Sequence, residues 1–135
     1  MLEKTLAIIK PDAVEAKNTG KIIDKIEQEG FNILKIKKEH LIKDQATKFY
    51  DIHKEKPFFN DLIKFIISNP VIIMVLEKEN AISDWRKTMG ATDPQKADEN
   101  TIRKIYGTNI DKNATHGSDS PQNAKKEIEF FFTNF

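Results

Sequence analysis

Residues 71–76, Val-Ile-Ile-Met-Val-Leu, form the longest apolar run in this chain, and this run constrains the fold most. It is rich in β-branched residues and lacks polar alternation, so it predicts a strand buried on both faces. The run Thr5-Leu6-Ala7-Ile8-Ile9 has the same character and predicts a second central strand. Such strands require helices that cover the sheet, which favours an α+β architecture.

Helices and a further strand are indicated around these two strands. Residues 20–30 have helical apolar spacing with Gly30 as the stop, and residues 31–37 alternate like a strand. We expect Asp44 to cap the next helix and Phe58 to start another.

The second half of the chain alternates between helical signals and a long connection. Asn80 is a candidate helix cap, residues 91–113 form a long loop, and residues 113–115 are a short extended piece. Ser120 and Pro121 suit the N-cap and first position of the last helix. The order predicts an α+β, ferredoxin-like βαββαβ sandwich, in which a small antiparallel sheet is covered by helices, with inserted helices and a long loop before residue 116.

Composition restricts the class of protein. At 135 residues we expect one domain over residues 1–135. A net charge of +1 gives no general attraction for nucleic acid or membrane, and the lack of cysteine excludes disulfides and thiolate metal sites. The apolar runs are too short for a secretory leader or a membrane span, so we expect a cytoplasmic protein.

Arginine is scarce in this chain. Of 22 basic residues only Arg86 and Arg103 are arginines. Arginine grips phosphate or carboxylate with a planar fork that lysine lacks, so these two are candidates for specific anion contacts. Ordinary surface arginines remain the alternative explanation.

Residues 113–120, Asn-Ala-Thr-His-Gly-Ser-Asp-Ser, carry the clearest chemical signal. His116 lies among small polar residues just before a helix start, where free N–H groups favour an anion. Gly117 allows a tight turn and a close approach to a ligand. A histidine beside an anion site suggests phosphate chemistry, although a lone histidine before a helix is more often a surface or capping residue.

The same segment resembles the active-site motif of nucleoside diphosphate kinases of the bacterial type with a short C-terminus. The resemblance covers nearly the whole chain, and its companion motifs occur in the expected order: Lys10-Pro11-Asp12-Ala13-Val14, Tyr50 with His53, Pro57-Phe58-Phe59, Arg86, Met89-Gly90-Ala91-Thr92 and Thr101-Ile102-Arg103. The departures at Lys78, Asn100, Lys104 and Ile105 lie beside loops and remove none of the groups that the family uses.

The resemblance implies transfer of the terminal phosphoryl group of a nucleoside triphosphate to a nucleoside diphosphate, with broad base tolerance. His116 would be the nucleophile of a ping-pong mechanism through a phosphohistidine. An unperturbed imidazole is mostly neutral at cytosolic pH, as a nucleophile must be. Glu127 and Ser118 would orient the ring, and Tyr50 would pack near it.

The resemblance also implies how the nucleotide binds. Arg86, Arg103 and Thr92 would hold the phosphates, and Lys10 and Asn113 would also hold the sugar 3′-hydroxyl. The base would lie between Phe58 and Ile110, with Leu62 at the pocket edge. Mg²⁺ would be held mainly by the nucleotide phosphates rather than by protein ligands, with Asp119 as a candidate contact through water.

Family members are usually hexamers or tetramers, so we expect a homo-oligomer, with no membrane association and no stable nucleic-acid complex. Three alternatives remain open at this point. The chain could bind single-stranded nucleic acid by stacking and charge, could pass a phosphoryl group to a protein, or could hydrolyse the nucleotide.

Overall fold

The two apolar runs are the central strands of a four-stranded sheet. The computed structural model describes residues 2–133 and 135, and its strands are β1 (Leu2–Ile9), β2 (Asn32–Glu39), β3 (Val71–Glu79) and β4 (Thr115–Gly117). The strand order is β2-β3-β1-β4, and each neighbouring pair is antiparallel. The predicted α+β fold with a small antiparallel sheet is confirmed.

Seven α-helices and two short 3₁₀ turns connect the strands within the described residues. The helices are α1 (Pro11–Glu15), α2 (Thr19–Gln28), α3 (Lys43–Phe49), α4 (Phe59–Ile66), α5 (Ala81–Met89), α6 (Ile102–Tyr106) and α7 (Pro121–Phe131). The 3₁₀ turns are Asp51–His53 and Pro94–Lys96. In the part of the chain described, no helix has both the length and the apolar character that a bilayer crossing needs.

Helices cover both faces of the sheet, which explains why the central strands lack polar alternation. In β1, Ala7 and Ile9 face a core that contains residues of α2 and α5. Leu6 and Ile8 face the opposite core, to which α3, α4 and α7 contribute. Successive side chains of a strand point to opposite faces, so consecutive apolar residues are needed where both faces are covered, at residues 6–9 of β1 and 71–76 of β3.

The sequence prediction for the start of α3 is wrong. Ile42, not Asp44, occupies the N-cap position, and Asp44 lies in the first turn. The side chain of Gln45 takes over the capping, because its Oε1 accepts a hydrogen bond from the Ile42 backbone N–H at 3.1 Å. Helix α1 was not predicted either, and Pro11 occupies its first position.

The two other predicted caps differ in outcome. Ser120 caps α7 as expected, since its Oγ accepts from the Asn123 N–H at 3.1 Å. Asn80 occupies the N-cap position of α5, but its side chain makes no capping bond. The carboxylate of Glu3, on β1, accepts from the Ile82 N–H at 2.9 Å instead, so a distant strand caps this helix.

Two departures from the family pattern have a local explanation. Asn100 has φ of 71°, a left-handed conformation that asparagine tolerates better than most residues and that glycine adopts freely. Lys78 lies 3.0 Å from a carboxylate oxygen of Asp84 on α5 and 4.9 Å above the Phe31 ring. Both residues are therefore accommodated without a change in the fold.

Candidate active site

His116 lies in the edge strand β4, where it pairs with Ile8 of β1. The extended segment is thus Thr115–Gly117 rather than the predicted residues 113–115. Trp85 of α5 fixes this strand from the other side, because its indole N–H donates to the His116 carbonyl at 3.2 Å. Strand and helix together hold the backbone of the histidine.

Gly117 is needed for packing rather than for the tight turn expected from the sequence. Its φ is not among the positive values of the chain. A Cβ at this position would lie 2.7 Å from Nε1 of Trp85 and 2.7 Å from the terminal methyl of Met89. The missing side chain lets α5 approach β4 closely.

The His116 ring is oriented by a carboxylate two turns along α7. Nε2 of His116 lies 3.2 Å from Oε1 of Glu127, and the Ser118 hydroxyl donates to the same oxygen at 2.8 Å. Ser118 is in turn fixed by the Leu6 N–H, which donates to its Oγ at 3.2 Å. A carboxylate only accepts hydrogen bonds, so Nε2 carries the hydrogen and Nδ1 keeps its lone pair.

Nδ1 is the free nitrogen of this ring. Among the residues that the structure describes, none makes a hydrogen bond to it. The His116 side chain is 21% exposed, and the Phe49 ring packs edge-on against it with centroids 5.4 Å apart. The arrangement holds the ring rigidly while one nitrogen stays accessible.

A basic cleft of about 810 Å³ opens beside His116. Among the described residues, four cationic side chains and one carboxylate line this cleft, so it suits an anion. The cations are Arg86, Lys87, Lys96 and Arg103, and the carboxylate is Asp98. Thr92 and the backbone of Gly90 also line it. Neither Ser120 nor any residue of α7 lines this cleft, so the cations, not the helix end, supply its positive charge.

Arg103 connects the cleft to the strand of the histidine. Its Nη1 donates to the Gly90 carbonyl at 3.0 Å and its Nη2 to the Thr115 carbonyl at 2.9 Å. Burial, with Arg86 nearby, lowers the pKa of Arg103 to about 10, so it remains protonated at neutral pH. Its Nε is buried without a partner among the described residues.

Lys10 and Asn113 form a polar pair at the end of β1. The Lys10 ammonium donates to Oδ1 of Asn113 at 2.8 Å, and Nδ2 of Asn113 donates to the Thr92 carbonyl at 3.0 Å. Burial lowers the pKa of Lys10 to about 8; Arg103 adds to this shift, and Asp12 opposes it. Hydrogen bonds thus link Lys10 and Asn113 to Thr92, which lines the cleft, although Lys10 and Asn113 do not line it.

A second cavity of about 320 Å³ lies on the other side of His116. It is lined by Tyr50, Asp119 and Glu127, which brings three further predicted residues to the histidine. Burial raises the pKa of Tyr50, and Glu127 adds to the shift, so the phenol stays neutral.

The predicted base-binding residues lie farther out. Phe58 is 45% exposed at the start of α4, and Ile110 is 56% exposed in the long loop. Neither lines the two cavities at His116, and Leu62 packs against the core beneath α4. The Phe58 ring lies next to the second cavity through His53, which lines that cavity, and the ring centroids of Phe58 and His53 are 5.9 Å apart.

Several residues at the site were missed from the sequence. His53 was named beside Tyr50 in a family motif but was given no role, yet its Nδ1 is buried without a partner among the described residues, and its ring lines the second cavity. Lys87 and Lys96 line the basic cleft. Nothing distinguished these two among twenty lysines, whereas the Tyr50–His53 spacing was a usable signal for His53.

The described residues do not form a metal site of their own. No group of three or more histidine, aspartate or glutamate side chains among residues 2–133 and 135 is placed to hold an ion. The donors that line the cleft are mostly cationic, so a divalent ion fits there only when anionic ligand oxygens accompany it.

Comparison with known proteins identifies the family. The family model described as nucleoside diphosphate kinase matches residues 3–135. The nucleoside diphosphate kinase of Geotalea uraniireducens is 57% identical over 132 residues, which cover 98% of this chain and 96% of that protein.

Solved structures agree with this match. The Aquifex aeolicus nucleoside diphosphate kinase superposes with a TM-score of 0.95 at 45% identity, covering 98% of this chain and 96% of that one. The Halobacterium salinarum enzyme, solved in complex with CDP, has a TM-score of 0.94 at 37% identity, covering 98% of this chain and 88% of that one. The chain therefore belongs to the nucleoside diphosphate kinase family and is a phosphotransferase.

Proposed function

We propose that this enzyme moves the terminal phosphoryl group of a nucleoside triphosphate to a nucleoside diphosphate in two steps through Nδ1 of His116. In the first step the Nδ1 lone pair attacks the γ-phosphorus, and the bond from phosphorus to the bridging oxygen breaks. In the second step a β-phosphate oxygen of the acceptor attacks the same phosphorus, and the phosphorus–nitrogen bond breaks. No water is consumed, and the histidine returns to its starting state.

The shared carboxylate oxygen carries this proposal. Glu127 Oε1 lies 3.2 Å from Nε2 of His116 and accepts from Ser118 at 2.8 Å. This arrangement fixes the tautomer with the lone pair on the exposed nitrogen, as a nucleophile requires. The same carboxylate stabilises the positive charge that the ring acquires when phosphorus bonds to Nδ1.

The cleft supplies what phosphoryl transfer mainly requires, which is positioning and neutralisation of charge. Arg86, Arg103 and Thr92 hold the phosphates, and Lys10 with Asn113 holds the sugar 3′-hydroxyl. The positions of Arg86, Thr92 and Arg103 around one cleft with His116 support this assignment. The base stacks against the exposed Phe58 ring with Ile110 opposite, and stacking accepts every base, which supports broad tolerance.

Mg²⁺ belongs to the substrate in this proposal. The nucleotide phosphates would hold the ion, and Asp119, which lines the second cavity, would be a contact through water. When bound, the ion neutralises phosphate charge during transfer.

The remaining expectations form part of the same proposal. Residues 1–135 act as one domain in the cytoplasm, where nucleotides are abundant. The enzyme is a homo-oligomer, either a hexamer or a tetramer, without a stable nucleic-acid complex. Leu34 and Ile36 support association, because both are exposed on the edge strand β2.

Labelling without an acceptor tests the proposed chemistry. The protein is incubated with γ-labelled ATP and Mg²⁺, and we expect label on the protein that is acid-labile and base-stable. Added GDP should discharge the label as GTP. Discharge to water alone would favour a hydrolase, preferential discharge to a protein would favour a phosphocarrier, and no label on folded, ATP-binding protein would contradict the proposal.

A further inference from the structure

The turn that precedes the strand of the histidine has an unfavourable backbone. Ala114 has φ of 74°, and the Thr115 N–H donates to the Asn113 carbonyl at 2.9 Å. A positive φ with a hydrogen bond from residue i+2 to residue i defines the rare form of the γ-turn. Ala114 is fully buried and is not a glycine, so it adopts this conformation only because its surroundings impose it.

Asp12 is one of the groups that impose this conformation. Its Oδ2 accepts a hydrogen bond from the Ala114 N–H at 3.1 Å. The Ala114 carbonyl accepts from the Lys10 N–H at 2.8 Å. The N–H and C=O groups of Ala114 are therefore both held from one place more than a hundred residues earlier in the chain, by Lys10 just before α1 and by Asp12 in its first turn.

The strained turn lies between two proposed ligand-binding groups. Asn113 on one side carries the amide that meets Lys10 and Thr92, and His116 lies two residues after the turn on the other side. A relaxed turn at Ala114 would change the direction of the chain between them. The geometry of the turn thus sets the distance between the sugar-binding amide and the attacking nitrogen.

We propose that Asp12 is a positioning residue, which holds the γ-turn at Ala114 so that Asn113 and His116 keep their relative places. This inference rests on the proposed role of His116. Asp12 itself is not required to touch the nucleotide, and its effect passes through the Ala114 backbone.

A double-variant comparison tests the inference. The rate of phosphoenzyme formation is measured at saturating Mg²⁺–ATP, together with the dissociation constant for ADP. We expect Asp12→Ala to lower the rate by about 10-fold or more, since a displacement near 1 Å can cost 10²-fold, and to weaken ADP binding less. In an Ala114→Gly background the loss should be at least about threefold smaller, because glycine adopts a positive φ freely.

Two further variants separate this effect from general damage. Asp12→Asn keeps an acceptor oxygen and the volume, so it should lose less activity than Asp12→Ala. If Asp12→Ala does not fold, Asp12→Asn in the two backgrounds makes the same comparison on a smaller scale. Glu15→Ala is the matched control, since it removes an exposed carboxylate of α1 that bonds Asn69, and it should leave the rate within about twofold.

The outcomes divide clearly. A smaller loss in the Ala114→Gly background supports the inference. Equal losses in both backgrounds, or equal losses for Asp12→Asn and Asp12→Ala, overturn it, because the charge near Lys10 would then explain the effect. If the unsubstituted protein forms no phosphoenzyme, the proposed function fails first, and the inference fails with it.

Discussion

Replacing Glu127 by glutamine tests how the His116 ring is oriented. In the native chain one carboxylate oxygen receives two hydrogens, from Nε2 of His116 and from the Ser118 hydroxyl. A glutamine presents one acceptor oxygen and one donor amide. If the amide faces the ring, it donates to Nε2 and moves the ring hydrogen to Nδ1, which then cannot attack. If the oxygen faces the ring, both bonds lose their ionic partner.

The expected magnitude follows from the same contacts. A hydrogen bond to a charged group contributes about 1.5–3 kcal/mol, and the Glu127 side chain is only 21% exposed, so solvent replaces little of it. Loss of that contribution in the transition state slows the reaction by on the order of 10- to 100-fold, since each 1.36 kcal/mol is a factor of about ten. Substrate affinity should change much less, because Glu127 does not line the basic cleft.

Rapid-quench measurement of phosphoenzyme formation at saturating Mg²⁺–ATP reports this step directly. Glu129→Gln is the matched control, because Glu129 is an exposed carboxylate on the same helix and should leave the rate unchanged. The reasoning is refuted if Glu127→Gln forms phosphoenzyme at the native rate, or if it loses only nucleotide affinity. The decrease in the rate of phosphoenzyme formation should also be smaller for Glu127→Gln than for His116→Ala.

The other predictions concern the cleft and the strand beside it. Arg103→Ala should lower the transfer rate by roughly 10²-fold, the scale for one positioned electrostatic group, and an unchanged single-turnover rate would return Arg103 to a structural role. Lys10 has a pKa of about 8 and is charged below that pH, so nucleotide affinity should fall as the pH rises through about 8. Measurement of ADP affinity from pH 6 to 10 checks this, and Lys10→Met should flatten the pH profile of that affinity. Gly117→Ala should destabilise the fold by about 1–3 kcal/mol, because the new Cβ meets the buried Trp85 ring, and an unchanged urea midpoint would contradict that packing argument.

The central strands could be predicted from the sequence because their signal is local. Residues 71–76 contain no polar residue and residues 5–9 contain only Thr5, and this pattern follows from burial on both faces of the sheet. Ser120 was predictable as a cap for the same reason, since its partner Asn123 lies three residues away. Family resemblance, rather than pattern, supplied the candidate roles of Glu127 and Lys10.

Features that depend on distant partners were not predictable. Glu3 caps α5 across 79 positions, and Asp12 holds Ala114 across 102 positions, so neither leaves a local pattern. The requirement for glycine at position 117 comes from Trp85 on another element, although a turn was the natural local explanation. The local sequence pattern indicates helices, strands and caps, whereas the packing of distant elements decides which side chains contact each other.

Location of the phosphoryl group in the isolated phosphoenzyme tests the account most directly. The protein is labelled with ¹⁵N in its histidines, phosphorylated with ATP and Mg²⁺, and studied by ³¹P and ¹⁵N NMR. The account predicts one phosphorus atom bonded to Nδ1 of His116, with Nε2 still protonated toward Glu127. Phosphorus on Nε2, on His53 or on any residue other than His116 would contradict it.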